Sequence, residues 1–186
     1  MPMKTAAEYI ESLRKLKLDL YLLGEKVENW VDNPIIRPSI NAVAMTYKLA
    51  HEPKNKELAA TDSMLIGKKV NRFNSLFKST GDMVSKVKLQ RELGQRTACC
   101  FQRCVGLDAI NAVFSTTYEI DQAHGTKYHH RFKEWLKYVQ QNDLCVQGAM
   151  TDVKGNRAVA PSKQADPDMF VHVVERRSDG IIIKGA

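Results

Sequence analysis

The chain has 186 residues, of which 44% are hydrophobic, and 28 Lys and Arg against 21 Asp and Glu give a net charge of +7. This length and composition are typical of one medium globular domain or one and a half small ones. The basic residues are dispersed, without a run of five or more and without an aromatic-interleaved RNA motif, so a nucleic-acid partner is not expected.

Targeting and membrane signals are absent from the sequence. It contains no apolar run of about 18 residues, and the N-terminal segment MPMKTAAEYIESL lacks the apolar region of a signal peptide. Its four cysteines do not follow the spacing of a secreted disulfide scaffold, which favours a reducing compartment. We therefore expect a cytoplasmic protein with no membrane contact.

The first half of the chain predicts helices. A capping box over residues 5–8 opens a helix whose apolar residues recur up to Gly24. A second helix begins after Pro38-Ser39 and ends before Pro53. Residues 53–79 are ambiguous, because a hairpin around Gly67 and an irregular or helical packing segment are both compatible with the pattern.

Three further helices are predicted before residue 143. One is capped by Ser79, Thr80 or Asp82 and closed by Gly94. The next carries three cysteines and runs from about Thr97 to Glu119, and the last opens at Gly125-Thr126 and ends near Asn142. Residues 1–143 are thus predicted to form an N-terminal α-helical domain.

After Asp143 the hydrophobic period changes from about 3.6 to about 2, which indicates strands. Residues 144–146 predict a strand, and residues 170–174 and 181–183 predict a hairpin around Ser178-Asp179-Gly180. A lone hairpin is marginally stable at best. We therefore interpret residues 144–186 as the start of a truncated middle β-domain and expect a mainly α chain.

The stretch Gly94–Gly106, GQRTACCFQRCVG, holds the strongest chemical signal. On a continuous helix Cys100 and Cys104 would share one face, whereas Cys99 and Cys104 would diverge by more than a third of a turn. Thiolates suit iron–sulfur clusters and zinc, and nearby Arg96 and Arg103 would favour the thiolate form. The alternative is that both cysteines fill the core. Two thiols also leave a four-coordinate site incomplete.

The histidines give no such signal. His129 and His130 are adjacent and would point about 100° apart on a helix, so they do not predict a shared metal. The other three histidines are isolated, and Cys145 is expected to be a buried thiol. The sequence contains no nucleophile–base arrangement and no glycine-rich phosphate loop.

Longer motifs resemble a known family. They are YIESLRKL, GEKVENWVDNPIIRPSINAVAMTY, GKKVNRF, CFQRCVGLDAINAVFSTTYEIDQ, WLKY, GAMTDVKGNR, APSKQADPD and DGIIIKGA. Together they resemble the N-terminal part of the 4-hydroxybutyryl-CoA dehydratase family, within the flavin-dependent 4-hydroxyphenylacetate 3-monooxygenase superfamily. The resemblance implies an acyl-CoA dehydrogenase-like fold, in which this chain is the N-terminal helical bundle followed by the first strands of a β-domain.

The resemblance also implies an activity. Family members use FAD and a 4Fe-4S cluster to convert 4-hydroxybutyryl-CoA into crotonyl-CoA by a radical mechanism, isomerise vinylacetyl-CoA, and form homotetramers. A radical route is needed because the thioester does not acidify the C3 proton. The fragment alone is expected to be inactive, because the remaining cluster ligands and the base would lie beyond residue 186.

Site residues carry over from the family motifs. Cys100 and Cys104 match two cluster ligands, while Gln102 and Arg91 match positions that line the active site. The flavin-site loop corresponds to Met150, Thr151, Asp152, Val153, Lys154, Gly155, Asn156 and Arg157. In that loop hydroxyl and carboxylate groups can bond the flavin edge, Gly155 permits a close approach, and Arg157 can meet a phosphate.

Two alternatives stay open at this point. A flavin-dependent phenol monooxygenase of the same superfamily would share the flavin loop but would not need the cysteine pair. A helical domain without catalytic activity would act only through protein contacts. For any single site residue, the competing interpretation is an exposed or core-packing side chain.

Overall fold

A computed structural model describes residues 3–148 and 153–185 of the chain. Its contacts divide the chain into two compact units, Met1–Gly148 and Ala149–Ala186. The described part is mainly helical, with a few short strands, which agrees with the predicted class. The predicted domain boundary after Asp143 stays a prediction.

The first helix, α1, is shorter than predicted and spans Ala6–Arg14. Its capping box forms as expected, because the Glu8 carboxylate accepts from the Thr5 backbone N–H at 2.7 Å. The following residues, 15–20, alternate lysine or aspartate with leucine, a period of 2 that does not continue one helical face. They lead into a small hairpin of β1, Tyr21–Leu22, and β2, Glu25–Lys26.

Helix α2, Arg37–His51, is the centre of the larger unit. It begins close to the predicted position, with Pro38 in the first turn, where its missing N–H costs no helical bond. Most of its length is buried. On one side Tyr47 stacks on Tyr9 of α1, with ring centroids 4.7 Å apart.

The ambiguous segment, residues 53–79, contains both of the structures that its pattern allowed, a hairpin around Gly67 and short helical turns. A short helix α3, Lys56–Ala59, precedes β3, Ala60–Asp62, which pairs antiparallel with β4, Lys69–Asn71. The connection includes Gly67 at a φ of 63°, a left-handed conformation that glycine adopts without strain. A 3₁₀ turn, Arg72–Asn74, follows and is completely buried.

Helices α4 and α5 are long and are separated by a sharp break. Helix α4 spans Thr80–Thr97 and passes through Gly94 instead of ending there. Helix α5 spans Arg103–His124 and α6 spans Tyr128–Gln141, the latter near its predicted bounds. The predicted helix from Thr97 to Glu119 is therefore wrong at its start by about six residues, because Thr97 still belongs to α4 and residues 98–102 form a loop.

Three buried clusters hold this unit together. The first joins α2, α3, α4 and the start of α5, the second joins α1 and α2, and the third joins α5 and α6. Their fully buried members are Leu49, Ala50, Ala59, Phe73, Leu89, Leu93 and Leu107 in the first, Tyr47 in the second, and Ile110, Leu136 and Val139 in the third.

Residues 144–148 do not form the predicted strand. Instead of a neighbouring strand, two side chains satisfy the backbone carbonyl of Leu144: Asn74 Nδ2 donates at 3.0 Å and Arg103 Nη2 at 3.4 Å. The segment packs against the first turns of α5, where the Cβ of a residue replacing Gly106 would lie 2.0 Å from the Val146 carbonyl oxygen. Residues 144–148 therefore pack on the helical unit.

The smaller unit contains the predicted hairpin. Strand β5, His172–Arg176, pairs antiparallel with β6, Ile181–Lys184, and a bulge interrupts the register between Val173 and Glu175. Most of its residues are exposed, including Ile181 and Ile183. Within residues 3–148 and 153–185, none of the helices has both the length and the apolar character needed to cross a bilayer.

Candidate functional site

The cysteine motif lies in a strained turn between two helices. Ala98 and Gln102, at the two ends of the turn, have positive φ values of 47° and 60°, which are unfavourable for residues with a side chain. Between them Phe101 is buried and packs on Phe73, with ring centroids 5.5 Å apart. The Thr97 hydroxyl donates to the Cys99 carbonyl at 2.9 Å, which supports the turn locally.

This geometry corrects the helix-face argument. Cys100 lies in the turn and Cys104 is the second residue of α5, so the two do not belong to one continuous helix. The left-handed residues on each side of the turn redirect the chain, and the predicted angular relation of the two thiols does not apply. Whether Cys100 and Cys104 can bind the same metal centre therefore depends on the conformation of the turn and not on helical spacing.

The two thiols of the motif have different surroundings. Cys100 is exposed, as is Cys99, and Cys104 is partly buried against the first core cluster. Cys100 lines an open groove of about 470 Å³, together with Gln102 and Gln147. The rest of the groove is largely apolar and is formed by α1, the segment after it and α2, including Tyr9, Leu13, Leu16, Leu18, Trp30, Ile40 and Val43.

The arginines near the motif have partners of their own. Arg96 binds Glu52 and Glu92 at distances of 2.7–2.8 Å and so links the end of α4 to the end of α2. Arg103 is completely buried, and its guanidinium donates into the core to Thr46 Oγ1 at 2.9 Å. Both arginines thus form ion pairs or hydrogen bonds with groups other than the cysteine thiols, whose thiolate form they were expected to favour.

The two predicted catalytic residues are both exposed but occupy different places. Gln102 is the N-cap residue of α5 and lies on the groove beside Cys100. Arg91 lies on the exposed side of α4 and is not among the described residues that line this groove. The structure therefore places Gln102, but not Arg91, at one surface with Cys100.

A close contact anchors the chain segment that follows α6. A Cβ on Gly148 would lie 2.4 Å from Val105 Cγ1 of α5. On α5 itself, Gly106 likewise has no room for a Cβ, because the Val146 carbonyl oxygen occupies that space. Nearby, burial raises the pKa of the Asp143 carboxyl and of the Cys145 thiol. Cys145 is only partly buried, and it lies in a loop instead of the predicted strand.

The predicted flavin loop belongs partly to the smaller unit. Met150, Thr151 and Asp152 lie outside the described residues. Val153, Lys154, Asn156 and Arg157 are exposed. Gly155 does let other groups approach its backbone closely. Those groups are side chains of this chain and not a flavin, because an added Cβ would lie 2.6 Å from both Gln164 Oε1 and Met169 Sδ.

No metal-binding group of three or more His, Cys, Asp and Glu side chains occurs within residues 3–148 and 153–185. The adjacent histidines differ in exposure, since His129 is half-buried and His130 is exposed. His129 packs edge-on against Phe114, with ring centroids 4.7 Å apart, and its backbone N–H donates to Asp121 Oδ2 at 2.9 Å.

Sequence reasoning missed a buried polar network beneath the turn. Arg103, Asn74 and Asp143 meet there, with Nη2 of the arginine 3.3 Å from Asn74 Oδ1 and 3.8 Å from Asp143 Oδ1. The arginine was read only as a charge beside the thiols. One sequence signal for its burial is available. Arg103 lies three residues before Gly106, and residues at that spacing share one face of a helix, which here is the buried face of α5.

Comparison with known proteins identifies the family of this chain. The family described as "4-hydroxyphenylacetate 3-hydroxylase N terminal" matches residues 5–186, almost the whole chain. The chain belongs to this family. Within it, the chain is 64% identical over 182 residues to the 4-hydroxybutyryl-CoA dehydratase/vinylacetyl-CoA-Δ-isomerase of Clostridium aminobutyricum, covering 98% of this chain and 37% of that protein.

Two solved structures share the fold of this chain. An oxygen-tolerant archaeal 4-hydroxybutyryl-CoA dehydratase from N. maritimus superimposes with a TM-score of 0.88 at 52% identity, covering 98% of this chain and 36% of that one. The oxygenase component of 4-hydroxyphenylacetate 3-monooxygenase, complexed with FAD and 4-hydroxyphenylacetate, gives a TM-score of 0.73 at 27% identity, covering 98% and 37%. The chain thus spans little more than a third of the length of these relatives.

Proposed function

We propose that this chain is the N-terminal part of an FAD- and iron–sulfur-dependent dehydratase that converts 4-hydroxybutyryl-CoA into crotonyl-CoA and isomerises vinylacetyl-CoA. The observation that carries the proposal is the 64% identity, over 98% of the chain, to a dehydratase/isomerase. The monooxygenase relatives are far less similar, at 28% identity for the oxygenase component from Thermus thermophilus.

The cysteine turn fits half of an iron–sulfur site. Cys100 and Cys104 offer soft sulfur donors of the kind that iron–sulfur clusters require. Cys100 is exposed on an open groove, which leaves room for an inorganic group beside it. Two further ligands are needed for four-coordinate binding, and in this proposal the remainder of the longer protein supplies them.

The described part of the predicted flavin loop carries positive charges that complement the negative phosphates of FAD. Lys154 and Arg157 are exposed and could bind the phosphates of FAD. Asn156 is held in place, because its backbone N–H donates to Gln164 Oε1 at 2.9 Å and its carbonyl accepts from Gln164 Nε2 at 2.9 Å. Gln164 therefore fixes the loop between the two cationic residues.

In the proposed reaction the residues of this chain bind and orient. The Gln102 amide, exposed on the groove, can donate a hydrogen bond to the thioester carbonyl of the substrate, and Arg91 can bind an anionic part of the acyl-CoA. Cys100 and Cys104 would hold the cluster. When bound, the cluster supplies a Lewis acid for loss of the C4 hydroxyl, and the flavin supplies a one-electron acceptor.

We also propose a domain organisation, a location and assembly, and a substrate class for the whole protein. The helical unit corresponds to the N-terminal bundle of an acyl-CoA dehydrogenase-like fold, with residues 1–143 as its domain and residues 144–186 as the start of the β-domain. The whole protein acts in the cytoplasm as a homotetramer. It takes a CoA thioester, without a nucleic-acid or membrane partner.

The decisive experiment uses the full-length protein, prepared without oxygen. We expect flavin, iron and acid-labile sulfide to copurify, and 4-hydroxybutyryl-CoA to be converted to crotonyl-CoA, as followed by chromatography of the CoA esters. A protein that contains flavin without iron and hydroxylates a phenol when given reduced flavin and oxygen is a monooxygenase instead. Absence of both flavin and iron would favour the non-catalytic helical domain.

Serine variants test the ligand assignment with a matched control. Cys100→Ser and Cys104→Ser should each lower iron per chain and abolish dehydration, because serine oxygen is a poor ligand for a cluster that prefers sulfur. Cys99→Ser changes an equally exposed neighbour and should leave both quantities near those of the wild type. Loss of iron in Cys99→Ser but not in Cys100→Ser would move the assignment by one residue.

A further inference from the structure

Arg103 connects the cysteine turn to three distant parts of the helical unit. Its side chain is completely buried. Nη1 donates to Thr46 Oγ1 of α2 at 2.9 Å, and Nη2 donates to Asn74 Oδ1 of the 3₁₀ turn at 3.3 Å and to the Leu144 carbonyl at 3.4 Å. The guanidinium thus joins segments that are 29 to 57 residues away in sequence.

Aromatic rings complete the site of this guanidinium. Its central carbon lies 4.4 Å from the centroid of the Tyr47 ring and 5.5 Å from that of Phe73. Phe73 in turn packs on Phe101 inside the turn. These two aromatic contacts and the directed hydrogen bonds together fix both the position and the orientation of the guanidinium, which a lysine ammonium could not reproduce.

The chain around Arg103 needs such an anchor. Gln102 before it has a φ of 60°, and α5 begins there without a side-chain cap. Cys104 follows directly in the first turn of α5. Since neither a cap nor a relaxed backbone defines this helix start, the buried side chain between the two residues is what holds it.

Stability alone does not account for an arginine here. A buried charge loses its hydration, and an apolar side chain of similar volume often fits such a site at least as well. The arginine is also incompletely satisfied, because Nε is buried without a hydrogen-bond partner among the described residues. The nearest carboxylate oxygen, Asp143 Oδ1, is 3.8 Å from Nη2, beyond an ordinary hydrogen bond.

We propose that Arg103 is a positioning residue that sets the place of Cys104 and Gln102 relative to residues 144–148, and that cluster retention depends on it. The second half of this statement rests on the proposed function, since it takes Cys100 and Cys104 as cluster ligands. The first half concerns only the geometry of this chain. The two halves are therefore tested by different measurements.

The test compares Arg103→Lys with Arg72→Lys in the full-length protein. Arg72 is the matched control: it is also buried and also donates to backbone carbonyls, to Leu58 at 2.6 Å and Glu57 at 3.2 Å. It differs in that a further bond, to Asp82 Oδ1 at 3.1 Å, links it to α4, and none of its hydrogen bonds within residues 3–148 goes to the cysteine turn. Each variant is first measured by urea unfolding, so that cofactor content can be compared per folded chain.

The cluster measurement is the rate of iron loss to a chelator, followed by the visible absorption of the iron–sulfur chromophore. We expect Arg103→Lys to weaken metal retention about 10- to 100-fold, the range usual for residues that orient metal ligands. Arg72→Lys should keep the wild-type rate and spectrum. Equal loss in both variants, or wild-type retention in Arg103→Lys, would overturn the proposal.

The geometric measurement does not need the cluster. In metal-free protein, alkylation of Cys100 and Cys104 by iodoacetamide is followed by mass spectrometry. We expect Arg103→Lys to increase the Cys104 rate several-fold over the wild type, because the half-buried thiol loses its fixed position, while Arg72→Lys does not. If the wild-type protein holds no iron, the proposed function fails, and this comparison still decides whether Arg103 positions the turn.

A milder variant covers the case in which Arg103→Lys does not fold. Thr46→Val removes the acceptor of Nη1 on α2, with little change in volume and without touching the cysteine turn. It should shift the Cys104 alkylation rate in the same direction by a smaller factor. A Thr46→Val protein with the wild-type alkylation rate, despite a measurable loss of stability, would contradict the proposed link.

Discussion

Replacing Gly106 by alanine should detach residues 144–148 from α5. The added Cβ would lie 2.0 Å from the Val146 carbonyl oxygen and 2.6 Å from its carbon, whereas real Cβ contacts essentially never fall below 3.0 Å. One of the two backbones must therefore move by about 1 Å or more. The atoms in conflict belong to the main chain, so a side-chain rotation cannot relieve the contact.

The magnitude follows from three contributions. Alanine in a helix normally gains about 1 kcal/mol over glycine. Overpacking costs about 1–3 kcal/mol, and displacing Leu144 weakens the hydrogen bonds that its carbonyl accepts from Asn74 and Arg103, for about 1–2 kcal/mol more. We expect Gly106→Ala to lower the free energy of unfolding by about 1–4 kcal/mol in total.

The assay is urea unfolding followed by far-UV circular dichroism, with Gly94→Ala as the control. Gly94 also lies inside a long helix, but a Cβ there would meet no atom within 4 Å. That variant should be stabilised by about 0.5–1 kcal/mol. If Gly106→Ala is stabilised to the same extent as Gly94→Ala, the close approach of the two backbones is not a feature of the folded protein.

Three other predictions concern the same unit. Because burial raises the pKa of Asp143 above that of the unfolded chain, its stabilising contribution is complete at pH values below the unfolded pKa and is lost as the pH rises through the folded pKa. The difference in unfolding free energy between the wild type and Asp143→Asn should therefore fall from pH 3 towards neutrality, and a difference that rises would contradict the assignment. Tyr47→Phe should cost about 1–2 kcal/mol in urea unfolding, because the hydroxyl donates to the buried Asp143 carbonyl at 3.1 Å; an unchanged midpoint would argue against that bond. Thr5→Ala should cost about 1 kcal/mol by removing one half of the α1 capping box, and Thr5→Ser should restore most of it.

Sequence patterns predicted the elements whose signals are local. The capping box at Thr5 and the turn at Ser178-Asp179-Gly180 were both found where expected, because each is made by residues close together in the chain. Helix α1 was predicted too long because the leucines after Arg14 can be fitted to a helical period, although their strict alternation favours extended chain.

The break between α4 and α5 could not be read from the sequence. Neither Ala98 nor Gln102 is a glycine, yet both take positive φ values, and no proline marks the change of direction. The cause is tertiary, since Phe101 and Arg103 are both drawn into the core on either side of Gln102. Similarly, the apolar triplet Leu144–Val146 resembles a strand, but side chains from distant segments take the place of a strand partner.

The hairpin of β5 and β6 has a practical consequence for work with this chain. Both of its strands have one edge without a backbone partner among the described residues 153–185, and Val174, Ile181 and Ile183 are exposed on them. Apolar strands with open edges recruit further strands from neighbouring molecules. A preparation of these 186 residues by themselves is therefore expected to self-associate as its concentration rises, and light scattering should show this before any spectroscopic sign of unfolding.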